Sequence, residues 1–158
     1  MRVMKAKTFQ DDHKKLLPGI HVLKKTLSDN LVITTFELRF KKPNEDIPIS
    51  SGALHTIEHL GNFYLGTLSP LKDEIIYFGP MGSRTGFRLI MKGSLRSQDV
   101  YEMVTKMCDF VIMHSGEIPR ATEHECGNCL DHDLAGAKLC AIEYSDWLRN
   151  NPHYEYQT

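Results

Sequence analysis

Residues 55–60 read HTIEHL, which brings two imidazoles and a carboxylate into five consecutive positions. On a helix, side chains at i and i+4 stand one turn apart on one face, so His55 and His59 can point at a single ion. Glu58, three residues after His55, faces the same way. The pattern H-x-x-E-H suits a site where two imidazoles hold a divalent cation and the neighbouring carboxylate moves protons. The plainer reading is a solvated helix face that carries two histidines. A catalytic ion needs a third protein ligand and keeps one position open.

Candidates for that ligand lie in ATEHECGNCLDH, residues 121–132. His124, Cys126, Cys129 and His132 could form a structural site of their own, but a second Cys-x-x-Cys is missing. A thioredoxin-like redox pair needs a strand leading into it, and none is read here. The remaining option gives one residue of this stretch to the ion of His55 and His59. Cys126 is read as sitting just before a final helix, whose positive end favours the ligating thiolate. Cys129, Cys108 and Cys140 are then core or half-buried residues, and His124 and His132 flank the ligand without touching the metal.

A second stretch, GPMGSRTGF at 79–87, carries a hydroxyl, Ser83, among three glycines. It is no phosphate loop, because no Gly-Lys-Ser/Thr follows. It is no hydrolase elbow either, because it joins two strands and lacks Gly-x-Ser-x-Gly.

These groups need a scaffold. LVITTFELRF (31–40) alternates as a strand, with Val32, Phe36, Leu38 and Phe40 on one face and Glu37 and Arg39 on the other. A Pro-bearing connection leads to a helix over 53–66. At 100° per residue, Leu54, Ile57, Gly61, Tyr64 and Leu65 form its apolar stripe, while His55, Glu58, His59, Asn62 and Gly66 form the adjacent face. Strands follow at 74–79 and 86–93, with a turn between them. Ser97 is placed to cap a helix with a stripe of Val100, Val104, Met107 and Val111. The last helix is expected from about Asn128, with Leu130, Leu134, Ala137, Ala141, Tyr144 and Leu148 facing inward. Strands and helices do not alternate as βαβ units, so the expected fold is α+β: one domain over 1–158, an antiparallel sheet packed against helices. Met103, Met107 and Met113 are assigned to the core, and His21, His114 and His153 to the surface.

A chain of 158 residues suits one domain with a real core, and a net charge of −1 offers no electrostatic case for nucleic acid or an anionic membrane. The N-terminal segment has no apolar run, so neither signal peptide nor transmembrane helix is read and a cytoplasmic location is expected. Four cysteines without a signal sequence argue against disulfides.

Several motifs in order resemble one family, the LuxS-type S-ribosylhomocysteine lyases. TFQDDHKKL (8–16), FELRFKKPN (36–44), HTIEHL, GPMGSRTGF and ECGNCLDHDL (125–134) each resemble a family segment, along nearly the whole chain. The resemblance implies a homodimer with active sites at the subunit interface. It implies cleavage of S-ribosylhomocysteine to homocysteine and dihydroxypentanedione, the autoinducer-2 precursor. It makes His55, His59 and Cys126 the ligands of one divalent metal per subunit, with Fe2+ expected in the cell and Zn2+ or Co2+ possible in preparations. Glu58 becomes a general acid/base, and His13, Arg39 and the backbone near Phe78 and Gly127 line the substrate site.

Three positions depart from the family pattern. Ser83 stands where the family has a proton-carrying cysteine, Gly66 where an arginine is usual, and Arg88 where an aromatic residue is common. An engineered exchange would explain Ser83 but not Gly66; a divergent natural member explains all three. A thiol exchanges protons near neutral pH far more readily than a hydroxyl, so the expectation is a chain that binds metal and substrate but turns over poorly. The remote rival is an H-x-x-E-H zinc protease, with Glu143 as its third ligand.

Overall fold

The structure is a computed structural model and describes residues 16–151. Four strands form one antiparallel sheet: β1 (Gly19–Ser28), β2 (Leu31–Arg39), β3 (Ile75–Pro80) and β4 (Gly86–Lys92), in the order β1-β2-β4-β3. Three helices accompany it: α1 (Ser51–Phe63), α2 (Ser97–Met113) and α3 (Leu134–Asn150). This is the α+β arrangement expected from the sequence. β1, absent from the sequence reading, pairs along β2 from Gly19↔Arg39 to Ser28↔Leu31, and Asp29 and Asn30, both at positive φ, make the two-residue turn between them. The expected strands and the turn at 81–85 are present, shifted by a residue at their ends.

α1 starts where Ser50 accepts the Ala53 N–H, and it continues past Phe63 as a π turn, Tyr64–Leu68. Its inner face is the expected one: Leu54, Ile57, Leu60, Gly61, Tyr64 and Leu65 are buried. α2 begins at Ser97, but its cap is Arg96, whose backbone N–H donates to the Asp99 carboxylate at 2.7 Å. Ser97 is thus the first helical residue and is buried, not the cap. α2 packs on α3, and both join α1 over the sheet in a single apolar core.

The final helix departs most from expectation. It starts at Leu134, where Asp133 caps the Gly136 N–H, and not near Asn128; Leu130 is 92 % exposed. Ala137, Ala141, Tyr144 and Leu148 do face the core. The Tyr144 ring stacks on Phe40 at 3.9 Å and its hydroxyl donates to the Gly19 carbonyl, while the Trp147 N–H donates to Pro18, pinning α3 to the start of β1. Three further corrections concern burial. His21, expected at the surface, is buried; Met113, expected in the core, is exposed; and Glu37 and Arg39, read as an outer polar face, are both buried and paired with each other. In register, Arg88 on β4 stands opposite Glu37 on β2. No helix among the described residues is long and apolar enough to cross a membrane.

Candidate metal centre

Between α2 and α3 the chain runs through residues 114–133 without helix or strand. A segment of that length in a compact domain is unusual and commonly functional. Here it folds against the outer face of α1. The Asp131 carbonyl receives His55 Nδ1 at 2.9 Å, and the Pro119 carbonyl receives His59 Nδ1 at 2.8 Å. A carbonyl can only accept, so each ring carries its proton on Nδ1 and leaves a lone pair on Nε2.

The two Nε2 atoms lie 3.0 Å apart, and Cys126 Sγ lies 3.4 Å from His55 Nε2. Two lone pairs facing each other at that distance repel unless a cation sits between them. Imidazole nitrogens about 2.0–2.1 Å from one tetrahedral ion would be roughly 3.3 Å apart, so the spacing fits such an ion. The donor set therefore suits a divalent metal.

His132, expected to flank the ligand, stands with its ring inside the cluster. The Thr56 hydroxyl gives its proton to the Gly52 carbonyl at 2.8 Å, so His132 Nδ1, 3.0 Å away, must be the donor to Thr56 Oγ1. His132 Nε2 is left buried with its lone pair and no hydrogen-bond partner. Burial, followed by the neighbouring His55 and His59, pushes this imidazole below the usual histidine range, toward the neutral ligating form. Its ring stacks on His55 at 4.2 Å. The donor atoms of His55, His59, Cys126 and His132 all lie within 4.8 Å of one another and could hold one ion. α3 begins only at Leu134, eight residues on, so Cys126 does not sit just before that helix as expected. Its sulfur stands among the imidazoles of the cluster. His124 and Cys129 are not part of the cluster, and Glu143 is bonded to Lys41 at 2.8 Å, so neither the separate structural site nor the protease ligand set is assembled.

Beside the cluster opens a cleft of about 640 Å³, walled by Glu58, His59, Asn62 and Gly66 of the α1 face and by Arg120 and Glu125 of the loop. Helical spacing places the first four on one face. Asn62 Nδ2 donates to the Phe78 carbonyl at 3.1 Å, fixing the edge strand β3 against α1. Gly127 is exposed, with open space where a side chain would stand. His13 falls outside the described residues.

Ser83 and Arg39 form a second group. Arg39 Nη1 donates to Thr85 Oγ1 at 2.8 Å, and Thr85 Oγ1 shares a hydrogen bond with Ser83 Oγ at 2.7 Å. The hydroxyl in the β3–β4 turn is thus wired through Thr85 to the buried Arg39–Glu37 pair. Neither Ser83 nor Arg39 is among the cleft walls.

Comparison with known proteins assigns the chain to a family. The S-ribosylhomocysteinase (LuxS) family profile matches residues 6–154. The S-ribosylhomocysteine lyase of Phocaeicola vulgatus is 44% identical over 137 residues, 87% of this chain and 85% of that protein. Those of Finegoldia magna and Borrelia garinii subsp. bavariensis are each 40% identical over 146 residues, covering 92% of this chain and 92% and 93% of theirs. With a profile that spans nearly the whole length and relatives this similar, the chain belongs to the S-ribosylhomocysteinase (LuxS) family.

Proposed function

We propose that the chain cleaves S-ribosylhomocysteine to homocysteine and dihydroxypentanedione, the autoinducer-2 precursor, as a metal-dependent carbon–sulfur lyase. The observation that carries this reading is the cluster of facing imidazole lone pairs beside a cleft walled by Glu58. His55, His59 and Cys126 are assigned as the residues that would hold the ion, with the unpartnered His132 Nε2 beside them. A divalent ion bound there supplies Lewis acidity to a carbonyl oxygen of the sugar; Fe2+ is the assignment for the cell.

The reaction needs protons moved along the ribose chain. Each isomerisation takes a proton from the carbon beside a carbonyl and returns one to the neighbouring carbon. The last step removes the proton beside the shifted carbonyl, forms a carbon–carbon double bond and breaks the carbon–sulfur bond, so homocysteine leaves as thiolate with no net oxidation. Glu58 is assigned as one proton carrier. Ser83 stands in the turn for the other. Its hydroxyl is engaged with Thr85 and can donate or accept a hydrogen bond, but it does not ionise near neutral pH as a thiol does. The proposed turnover is therefore slow.

The proposed assembly is a homodimer in the cytoplasm. β3 is an edge strand with Ile76 and Tyr77 about half exposed, and Phe63 and Leu68 are exposed at the end of the metal helix. A second copy covering this face would join the Ser83 group and His13 to a site that one chain leaves open. Arg39, Phe78 and Gly127 are the proposed substrate neighbours there.

A thiol-release assay with S-ribosylhomocysteine tests the reading. The chain is expected to release homocysteine slowly, and Ser83→Cys to raise the rate by about 10²-fold or more. No release by either protein, with metal bound, refutes the assignment. Release by the unaltered chain as fast as by Ser83→Cys refutes the role given to the serine.

A further inference from the structure

Arg120 lines the same cleft as Gly66, and its backbone is strained. It follows Pro119 in the turn closed by Ala121 N–H to the Ile118 carbonyl, and it takes φ +57° where such turns favour glycine. The residue before it holds metal-site His59 through its carbonyl. A long cationic side chain in a left-handed position costs stability, yet it gains no ion pair among the described residues. Gly66 in the same lining leaves space, with nothing within 4 Å of the place a Cβ would take. Glu125 lines the same cleft and is not paired with Arg120. The cleft thus offers one guanidinium and one carboxylate of the loop, both available, next to the metal cluster.

We propose that Arg120 is the specificity-determining residue that receives the α-carboxylate of the homocysteine moiety, with Glu125 facing its ammonium group. The inference rests on the substrate reading above. A zwitterionic amino-acid head has one permanent anion and one permanent cation, and this cleft presents the opposite of each. A guanidinium matches a carboxylate with two parallel hydrogen bonds, which a lysine ammonium cannot reproduce. A phosphate-bearing ligand would meet Glu125 and Glu58 as like charges.

The test compares two probes by calorimetry on the metal-loaded full chain: S-ribosylhomocysteine, and its analogue in which 3-aminopropanethiol replaces homocysteine and the carboxylate is gone. Binding is the readout because it does not depend on Ser83. Arg120→Gly suits the left-handed backbone, so its fold is kept. The expected result is a loss of about 10- to 100-fold in affinity for S-ribosylhomocysteine in Arg120→Gly. Affinity for the decarboxylated analogue should be unchanged, and Arg120→Lys should recover only part of the loss. Equal binding of S-ribosylhomocysteine by the unaltered chain and Arg120→Gly overturns the proposal and leaves the substrate reading standing. Parallel loss for both probes also overturns it, since a merely structural role would do that. Binding of neither probe by the unaltered chain overturns the substrate reading together with it.

Discussion

Replacing either of two glycines of the metal helix by alanine should have opposite effects on stability. A Cβ at Gly61 would lie 2.5 Å from Phe78 Cε1, 3.0 Å from Phe78 Cζ and 3.2 Å from Met107 Sδ. The Phe78 ring cannot retreat cheaply, because it is buried and stacked on Phe87 with centroids 5.0 Å apart. Overpacking of this kind costs about 1–3 kcal/mol, and this contact belongs in the upper half of that range. The gain in helix propensity from Gly to Ala offsets about 1 kcal/mol. Gly61→Ala should thus be less stable by about 1–2 kcal/mol. At Gly66 the added methyl meets nothing within 4 Å. Gly66→Ala keeps only the reduced freedom of the unfolded chain and should be more stable by about 0.4–1 kcal/mol. With a urea m-value of about 2 kcal/mol per M, the midpoints should move by roughly 0.5–1 M down and 0.2–0.5 M up. Urea titrations followed by fluorescence and circular dichroism, at one protein concentration, measure both. Gly61→Ala as stable as the unaltered chain would refute the claim that Phe78 closes on α1 at this point.

Cobalt titration should separate the donors: Cys126→Ala is expected to lose the thiolate-to-cobalt absorption band and most of its affinity, whereas His132→Ala keeps the band and binds about 10- to 100-fold more weakly. An intact band in Cys126→Ala removes that sulfur from the site. Glu37→Gln leaves the buried Arg39 charge without its carboxylate and should cost about 3–5 kcal/mol in urea unfolding; a loss below about 1 kcal/mol would show that Thr85 and the other neighbours of Arg39 suffice.

Much of the site was legible because it is local. His55, Glu58, His59, Asn62 and Gly66 share a face by helical spacing alone, and the buried stripe beside them follows the same arithmetic. β1 was not legible because a bulge between Val22 and Lys24 breaks its alternation and its outer half is solvated. The start of α3 was misread because Leu130 happens to continue the apolar spacing, although Asp133 three residues before Gly136 was the readable cap signal. His132 joined the cluster through the Thr56 hydroxyl, 76 residues away in sequence, a contact that only the path of the loop creates. Glu37 and Arg39 alternate like an exposed face, and nothing in β2 itself says that this face is covered.

The anchoring of the histidines also has a mechanical side. The Pro119 and Asp131 carbonyls grip the two rings from opposite ends of a segment that has no ladder or helix of its own. The imidazoles are therefore its clasps as well as its dependants. Occupancy of the site and rigidity of residues 114–133 become two readings of one equilibrium, each favouring the other by the same free energy. Stripping the ion should thus raise amide hydrogen exchange across this segment before the sheet, and losing the segment's order should in turn release the ion.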